Sequence, residues 1–365
     1  MSGKRTAIGR HLEYLAHHWS KIQGPFDKIV FMSPSQLRTE NLGTATPIEL
    51  RSFGRSLPNL LWEQGALPYA ARNAAVLFSE YTCPLLFCGP IVVANHGIYE
   101  GMPGAFSMWQ RLRAVPLSCL SARRANRVIA NSFSTRADLV HHFRVSEFKI
   151  DVIYPAPAEF FFEPHTEESI NAEIVALFGA RFPYILFVGK LSTRRHVPNL
   201  MEAFAIVRRR ESLPHHLLVV GPNVNQLPLE QLAQHHGITP FFTYVPHMEQ
   251  PALAKIYAGA DLFVLPSIYE GISWTIFEAM ASRSPVLAVD HPTLAESAGG
   301  AVMTVPTPGV DDLVRGITAL LTNPELKEHY RGRGRSLVET FSLAESARAT
   351  LEIIHRTARD SDQAR

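Results

Sequence analysis

The chain has 365 residues, of which 46% are hydrophobic and 19% are charged, so it holds enough apolar material for two cores of ordinary size. Its formal net charge of +2 argues against a dedicated nucleic-acid-binding protein, since such proteins normally carry a strong basic excess. Three cysteines are too few for a disulfide framework and lack zinc-finger spacing, so we expect reduced thiols at Cys83, Cys88 and Cys119.

The N-terminus and the most apolar stretch of the chain predict neither a leader nor a membrane span. Residues 1–19 are polar and contain no apolar core, so we expect no secretory signal. The stretch Ala74–Ala94 is interrupted by Glu80, Pro84 and Pro90, which favours strands and turns over a spanning helix. Together with the cysteines, these features predict a cytoplasmic protein.

The N-terminal half predicts an α/β domain. Short apolar runs indicate strands at Lys28–Met32, Ala75–Phe78, Ile91–Ala94, Arg127–Ala130 and Lys149–Tyr154. After the last of these runs the composition changes, because Pro155, Pro157 and Pro164 interrupt the backbone and the stretch becomes acidic. Prolines at this density break helices and central strands. We therefore place a domain boundary here, with residues 1–165 as the N-terminal domain.

The C-terminal half is more regular and predicts a doubly wound domain over residues 166–341. Its candidate strands are Tyr184–Val188, Leu217–Val220, Phe242–Val245, Leu262–Leu265, Pro285–Val289 and Val302–Val305. Helical patterns separate most of them, such as Val197–Arg210 with apolar Leu200, Ala203, Phe204 and Val207 on one face. Strands that are apolar on both faces and alternate with helices indicate a parallel sheet covered on both sides. Residues 342–365 predict a C-terminal helix that packs back on the N-terminal domain.

A glycine and three cations follow the first strand of the C-terminal half: Gly189, Lys190, Arg194 and Arg195. In open α/β sheets ligands bind beyond the carboxyl ends of the strands, so these cations predict a phosphate site. Taken alone, a solvated loop explains them equally well. His247, which follows the third strand, is a further candidate at the same edge.

A helix start and two carboxylates follow the fourth strand. Gly271, Ile272 and Ser273 lead into the helix that carries Glu278, and the first amides of a helix are ready to bind an anion. Glu278 lies among apolar residues, and burial of an unpaired carboxylate is costly, which favours a polar partner or ligand. Glu270 alone is equally well explained as a turn residue. Cations, free amides and carboxylates for hydroxyl groups together match a nucleotide sugar.

At these residues the chain resembles the retaining glycosyltransferases of family 4, the glycosyl transferases group 1, which have the GT-B fold. The resemblance rests on Tyr257–Asp261, Pro266–Gly271 and Glu278–Ala281, and on the loop from Gly189 to Arg195. It covers about Tyr184 to Phe341 strongly. It is weaker in the N-terminal half, where the strand ending in Asn95-His96 and the segments Arg127–Ser132 and Lys149–Pro155 match.

The resemblance implies an α/β fold of two doubly wound Rossmann-like domains facing a cleft. It implies a hexosyltransferase that moves a sugar, with retention and without a metal or other cofactor, from a nucleotide diphosphate to a saccharide or lipid-linked acceptor. Glu278 would bind the ribose, Glu270 the donor sugar, and the backbone of Gly271, Ile272 and Ser273 would lie nearby. Lys190 and Arg195, with Arg194, would neutralise the diphosphate. Gly9 would approach the donor, and His96 the sugar or the acceptor. Taken alone, a histidine such as His96 is more often a hydrogen-bonded strand-end residue than a ligand.

Several positions depart from the family pattern. Gly97 replaces the usual aspartate, Ala156-Pro157 replaces asparagine–glycine, and Ser282–Ser284 replaces a glycine-bearing stretch. The segment Thr6–His11 resembles the family's first glycine loop, yet almost nothing precedes it, and we hypothesise that the first strand is missing or encoded differently. The ordinary reading of Gly9 as a turn glycine stays open.

Two other functions remain as alternatives. A GT-B epimerase shares the fold, and a catalytically silent protein could retain the donor pocket for binding or as a scaffold. The donor is predicted as GDP-mannose, with UDP-sugars next. A basic cluster indicates either a solvated helix face or contact with anionic lipid or a lipid-diphosphate acceptor; it comprises Arg111, Arg113, Arg123, Arg124 and Arg127.

Overall fold

The computed structural model describes residues 7–34, 42–98 and 108–363. The chain divides into two compact units. The N-terminal unit comprises the described residues up to Pro155 together with the segment Ser342–Arg365. The C-terminal unit comprises Ala156–Phe341. No helix in these described ranges combines the length and the apolar composition that crossing a membrane requires.

The first part of the N-terminal unit alternates helices and strands. Its elements are α1 (Ala7–Lys21), β1 (Ile29–Ser33), β2 (Ile48–Ser52), α2 (Asn59–Leu61), a π-helical turn (Trp62–Ala66), α3 (Leu67–Ala70), β3 (Leu77–Glu80), β4 (Ile91–Asn95), α4 (Met108–Arg124), β5 (Arg127–Ala130), α5 (Phe133–Phe143), a 3₁₀ turn (Glu147–Lys149) and β6 (Ile150–Val152).

Strands β3, β4, β5 and β6 form a parallel sheet in that order, and β1 and β2 form a separate parallel pair. The five strands predicted in this half are confirmed, with ends shifted by a few residues. Strand β2 was not predicted, because the sequence Ile48–Ser52 offers only two apolar residues. Its pairing with β1, Ile29 opposite Ile48, is what makes it a strand.

The C-terminal unit contains a 3₁₀ turn (Glu159–Phe161), α6 (Glu167–Phe178), β7 (Tyr184–Val188), a 3₁₀ turn (Thr193–Arg195), α7 (Val197–Arg210), β8 (His216–Val220), α8 (Leu229–His235), a 3₁₀ turn (Thr239–Phe241), β9 (Phe242–Val245), α9 (Gln250–Gly259), β10 (Leu262–Leu265), α10 (Trp274–Ala281), β11 (Val286–Val289), α11 (Pro292–Ala298), β12 (Met303–Val305), α12 (Val310–Thr322) and α13 (Pro324–Val338). The six predicted strands and the helix over Val197–Arg210 are confirmed.

The six strands of this unit form one parallel sheet in the order β12-β11-β10-β7-β8-β9. Strands β7, β8, β10 and β11 are buried along their whole length, as expected for a sheet covered on both faces. The direction of strand progression reverses between β7 and β10. The carboxyl ends of these two strands therefore form the topological switch point at which ligands bind in this fold class.

The last helix, α14 (Leu343–Gln363), belongs to the N-terminal unit. Its apolar face packs with Leu15, Trp19, Val92 and Ala94, and Trp19 Nε1 donates a hydrogen bond of 2.8 Å to the carbonyl of Ala347. The alternate residues of β4, Ile91 and Val93, point into a second cluster with residues of α5. The four-stranded sheet is thus covered on both faces.

The division of the chain falls after Pro155, earlier than the predicted boundary at residue 165. The intervening segment packs on the C-terminal unit: the ring of Phe161 lies 5.9 Å from that of Tyr257, and Ser282 Oγ donates to the Phe161 carbonyl at 3.3 Å. The guanidinium of Arg335 also covers the ring of Phe162. The prolines indicate where the linker lies, but the packing of Phe161 and Phe162 determines that the segment belongs to the C-terminal unit.

Gly9 lies in the first turn of α1 rather than in a loop. The hypothesis of a missing first strand concerns the residues ahead of Gly9, and residues 1–6 lie outside the described part of the chain.

Candidate active site

Glu270 and two arginines form the centre of the site in the C-terminal unit. Glu270 is only 2% exposed, and its Oε1 accepts hydrogen bonds from Arg194 Nη1 at 2.5 Å and Arg195 Nε at 3.1 Å. Arg194 also donates to Ser267 Oγ at 2.9 Å and to the carbonyl of Tyr269. Burial raises the pKa of Glu270, but the charges of Arg194 and Arg195 outweigh it and hold the pKa at about 2. Glu270 is therefore an anion at neutral pH.

Both arginines come from the tight turn between β7 and α7. Thr193–Arg195 forms a 3₁₀ turn, and His196 takes a left-handed conformation (φ 41°) before helix α7 begins at Val197. This turn brings Arg194 from the end of β7 to the residues that follow β10, which is the neighbouring strand. The sheet thus explains why Arg194 and Glu270 meet, although 76 positions separate them in sequence.

Glycines keep the space beside Arg195 open. A Cβ atom on Gly189 (φ 150°) would stand 1.5 Å from Arg195 Nη1. A Cβ atom on Gly221 (φ 134°) would stand 2.1 Å from the Gly189 carbonyl oxygen. At Gly221 both the conformation and the backbone contact exclude a side chain, whereas a Cβ on Gly189 would adopt a strained conformation and displace the Arg195 guanidinium.

Lys190 adds a third positive charge next to the pair. The surrounding protein lowers the pKa of Lys190, and the charges of Arg195 and Arg194 lower it further. Burial is the larger cause of this shift, and the two arginines add electrostatic repulsion around Lys190. A bound diphosphate would relieve this repulsion.

Glu278 lies on α10, close behind the helix start. It is 4% exposed, and its Oε2 accepts a hydrogen bond of 3.0 Å from the hydroxyl of Tyr257. Gly271, Ile272 and Ser273 are buried just before the helix, and the Ser273 side chain makes no capping hydrogen bond to it. The first turn of α10 therefore keeps amide groups that its own N-cap side chain does not satisfy.

His247 sits differently from the other predicted residues. It follows β9, which is an edge strand of the sheet, and its Nε2 lies 3.1 Å from Glu249 Oε1 in a solvent-exposed pair.

His291 is a further residue of the candidate donor site, and the sequence analysis does not name it. It follows β11, is 8% exposed, and its Nδ1 accepts a hydrogen bond from the amide of Leu294 at 3.2 Å. Burial lowers the pKa of His291, whereas the nearby charges of Glu270 and Asp290 raise it. The interaction with Glu270 makes His291 a further candidate for the same site. The rule that ligands bind beyond strand ends, which indicated Lys190, also indicates His291, because His291 follows the predicted strand Pro285–Val289.

In the N-terminal unit, His96 contacts two residues that the sequence did not single out as site residues. Its Nε2 makes a close contact with Oε2 of Glu80, whose Oε1 lies 3.0 Å from His11 Nδ1. The two imidazole rings are 5.3 Å apart. Burial raises the pKa of Glu80, but His96 and His11 outweigh it and hold the pKa at about 2. His11 lies on α1, close behind Gly9.

A cavity of about 20 Å³ adjoins this cluster and is lined by His11, His96 and Asn131 among others. Asn131 is 3% exposed, and within the described residues neither atom of its side-chain amide has a hydrogen-bond partner. The volume holds one water molecule or one ligand hydroxyl group. His11, Glu80 and His96 also offer three potential metal ligands within 4.8 Å of one another. Their direct contacts favour a hydrogen-bonded chain in which Glu80 holds both rings.

Gly97 follows this cluster with φ 120°, a conformation that glycine adopts far more readily than aspartate. The glycine that replaces the family's aspartate at this position therefore suits the backbone conformation found here.

The fold and the site define the class: a two-unit α/β protein whose cations and carboxylates meet at the switch point of a doubly wound sheet. Two family models match the chain, glycosyltransferase family 4 over residues 8–156 and glycosyl transferases group 1 over residues 173–337. The chain belongs to this family of GT-B glycosyltransferases.

Curated relatives match this chain over part of their length. A D-inositol 3-phosphate glycosyltransferase from Nocardia farcinica is 28% identical over 236 residues, 62% of this chain and 52% of that protein. An MMP α-(1→4)-mannosyltransferase from Mycolicibacterium hassiacum is 28% identical over 240 residues, 64% of this chain and 55% of that protein. The chain thus matches about half the length of these relatives.

Solved structures match nearly the whole fold. HepE from Anabaena, in complex with UDP-glucose, superimposes with a TM-score of 0.77 at 15% identity and covers 98% of both chains. WaaG, a glycosyltransferase involved in lipopolysaccharide biosynthesis, superimposes with a TM-score of 0.75 at 17% identity, over 96% of this chain and 97% of that one. At these identities the likeness shows the GT-B fold.

Proposed function

We propose that the protein is a glycosyltransferase that moves a sugar, with retention, from a nucleotide diphosphate to a saccharide or lipid-linked acceptor. The observation that carries this proposal is the Arg194–Arg195–Glu270 group at the switch point of the C-terminal sheet. In this group a guanidinium supplies positive charge for the diphosphate, and the buried carboxylate supplies an acceptor for the hydroxyl groups of the sugar.

The donor diphosphate is assigned to Arg195 and Lys190, with backbone amides of Gly271, Ile272 and Ser273 nearby. Arg194 takes a different part in this proposal. Its guanidinium already contacts Ser267, Tyr269 and Glu270, so its main task is to orient Glu270.

The donor sugar and nucleotide are assigned to the two glutamates. Glu270 accepts hydrogen bonds from the sugar hydroxyls, and Glu278 accepts them from the ribose. The hydroxyl of Tyr257 fixes the Glu278 carboxylate from the side of the core. Charge-assisted hydrogen bonds of this kind contribute about 1.5–3 kcal/mol each, which makes them effective selectors for hydroxyl groups.

In the chemical step, the bond between the anomeric carbon and the diphosphate breaks while the acceptor oxygen attacks the same face of the sugar. Negative charge grows on the departing diphosphate, and Arg195 and Lys190 stabilise it, so no metal ion is required for that step. The departing phosphate takes the acceptor proton. Glu270 is too weak a base for this, since its pKa is about 2.

The acceptor side is assigned to the N-terminal unit. His96 is held by Glu80, and the adjoining cavity with the unpartnered amide of Asn131 fits one hydroxyl group. We retain Gly9 as a proposed donor contact on the family resemblance alone.

GDP-mannose remains the first candidate donor and a UDP-sugar the second. The mannosyltransferase among the relatives supports the first, and the UDP-glucose complex of HepE supports the second.

A thermal-shift panel with GDP, UDP, ADP and dTDP tests the donor site, because a ligand that binds only the folded state raises the melting temperature. Turnover is then measured with the matching radiolabelled nucleotide sugar and a panel of sugar phosphates and lipid-linked acceptors. Binding followed by transfer supports the proposal. Binding without transfer or hydrolysis would favour a silent nucleotide-sugar-binding protein, and no binding to any nucleotide would contradict both.

A further inference from the structure

The amino-terminal edge of the four-stranded sheet carries a surface that the donor and acceptor sites do not use. Because the strands are parallel, the loops that lead into β4, β5 and β6 share one edge, opposite to the edge at which Glu80 and His96 lie. Hydrogen bonds join these loops: Arg124 Nη2 donates to the Phe87 carbonyl at 2.8 Å, and Lys149 Nζ donates to the Ala125 carbonyl at 3.2 Å. The amino-edge surface, as named here, consists of Leu86, Leu120, Arg123, Arg124, Arg127, Phe148 and Lys149.

Three large apolar side chains of this surface are exposed to solvent. Phe148 is 90% exposed, Leu86 77% and Leu120 50%. Single exposed apolar residues are ordinary on protein surfaces. These three lie on a loop, a helix end and a 3₁₀ turn that hydrogen bonds join at one edge of the sheet, and exposed apolar groups gathered on one surface indicate an interaction site.

The charges of the surface are positive. Arg123, Arg124 and Lys149 donate to backbone carbonyls, and no carboxylate in the described part of the chain pairs with any of them. Arg127 is paired with Asp151 at 2.6 Å, and the neighbouring Glu147 is paired with Arg136 at 2.8 Å. The carbonyl contacts fix the cations in place without neutralising them.

We propose that the amino-edge surface docks the protein on an anionic membrane. Phe148, Leu86 and Leu120 enter the boundary between headgroups and acyl chains, and Arg123, Arg124 and Lys149 bind lipid phosphates. The combination of cations that no described carboxylate neutralises with exposed apolar side chains fits this partner better than nucleic acid, which would require a stronger basic excess than +2 overall. The basic cluster predicted from the sequence shares Arg123, Arg124 and Arg127 with this surface; its other members, Arg111 and Arg113, have side chains outside the described residues.

This proposal is independent of the transfer reaction, because none of its residues belongs to the assigned donor or acceptor site. It is tested by co-sedimentation with two kinds of vesicle, phosphatidylcholine alone and equal parts of phosphatidylcholine and phosphatidylglycerol. We expect the protein to bind only the vesicles that contain phosphatidylglycerol, and to bind them less as salt is raised.

Two sets of variants separate the apolar from the charged contribution. Phe148→Ser and Leu86→Ser replace exposed side chains, so the fold should survive, and each should weaken binding several-fold. Arg123→Ala combined with Lys149→Ala should weaken it about 25-fold, at about fivefold for each cation. Nucleotide-induced thermal shifts should be unchanged in all of them.

Matched controls come from the C-terminal unit. Val224→Ser removes an apolar side chain that is 53% exposed, and Arg209→Ala with Arg210→Ala removes two exposed cations. Both controls should bind vesicles like the wild type. The proposal is overturned if the wild type fails to bind the anionic vesicles at low salt. It is equally overturned if Phe148→Ser and Leu86→Ser bind like the wild type, or if the controls lose as much affinity as the test variants.

Discussion

Arg195 Nη1 occupies the space in which a side chain on Gly189 would begin, only 1.5 Å from the ideal Cβ position. The end of β7 and the cation assigned to the donor diphosphate are therefore coupled sterically. A side chain introduced at Gly189 should therefore change the position of the Arg195 guanidinium.

Gly189→Ala should displace the Arg195 guanidinium and reduce transfer about 100-fold or more, the usual cost of losing one charge-stabilising donor. Steady-state kinetics with saturating acceptor measure it. Gly237→Ala is the matched control, because Gly237 also has a positive φ (70°) but no atom lies within 4 Å of its Cβ position. Equal losses in the two variants would show that backbone strain, rather than displacement of Arg195, is responsible.

Arg194 and Arg195 should differ when each is replaced by alanine. Arg195→Ala should keep the fold and lose most transfer, since Arg194 still pairs with Glu270. Arg194→Ala removes not only a contact to Glu270 but also the hydrogen bonds to Ser267 and the Tyr269 carbonyl, which Arg195 does not make, and should lower the free energy of unfolding by about 3 kcal/mol. Urea unfolding and turnover measured on both variants check this. The assignment fails if Arg195→Ala retains wild-type turnover.

Glu278→Ala should abolish most transfer, and Tyr257→Phe should have a milder effect. Loss of the 3.0 Å hydrogen bond frees the Glu278 carboxylate to rotate, so Tyr257→Phe should weaken nucleotide binding about fivefold to tenfold. Calorimetric titration with the nucleoside diphosphate measures this affinity. If Glu278 binds the ribose, the loss should disappear with inorganic diphosphate as ligand; an equal loss with that ligand would contradict the assignment.

Glu80 should make the folded protein sensitive to acid. Its pKa is about 2 in the folded protein and 4.5 when unperturbed, so it stabilises the fold above pH 4.5 and this stabilisation is lost as the pH falls towards 2. Glu80→Gln should therefore flatten the fall of the urea midpoint over roughly pH 5 to 3, because unfolding takes up a proton at Glu80 in that range.

Glu63 provides the control of opposite sign. Burial raises the pKa of Glu63, so its contribution is lost as the pH rises rather than as it falls. Glu63→Gln should leave the acid sensitivity in place. An unchanged acid slope in Glu80→Gln would mean that the His11–Glu80–His96 chain contributes nothing to it.

Chelation by EDTA should leave transfer unchanged, because Arg195 and Lys190 supply the positive charge that a divalent ion supplies elsewhere. The rate is measured before and after dialysis against the chelator, and again after addition of Mg²⁺ or Zn²⁺. A rate that falls on chelation and returns with Zn²⁺ would instead point to His11, Glu80 and His96, the three potential ligands in the N-terminal unit.

The C-terminal fold was predictable because its strands are continuous apolar runs, such as Tyr184–Val188, bounded by glycine and polar residues. The rule that ligands lie beyond strand ends then led to Arg194, Glu270 and Glu278. That Arg194 also bonds to Ser267 and Tyr269 was not predictable, since it depends on the conformation of a 3₁₀ turn and a left-handed His196.

The N-terminal site was harder to predict, because its members come from unrelated elements. Glu80 ends β3, and its partners His96 and His11 lie 16 and 69 positions away. A lone glutamate in an apolar stretch suggested only that the stretch was not a membrane span. Its two imidazole partners become visible only when α1, β3 and β4 are assembled.

Trp19 and Ala347 meet across 328 positions, so the core of the first unit is closed by a helix that leaves the ribosome after the whole second unit. The second unit holds all of its strands in Ala156–Phe341 and can complete its sheet earlier during synthesis. Domains generally fold as units while the chain emerges. In this protein the first unit is begun before the second but completed after it, so a chain cut ahead of α14 would leave the apolar face of the first unit uncovered.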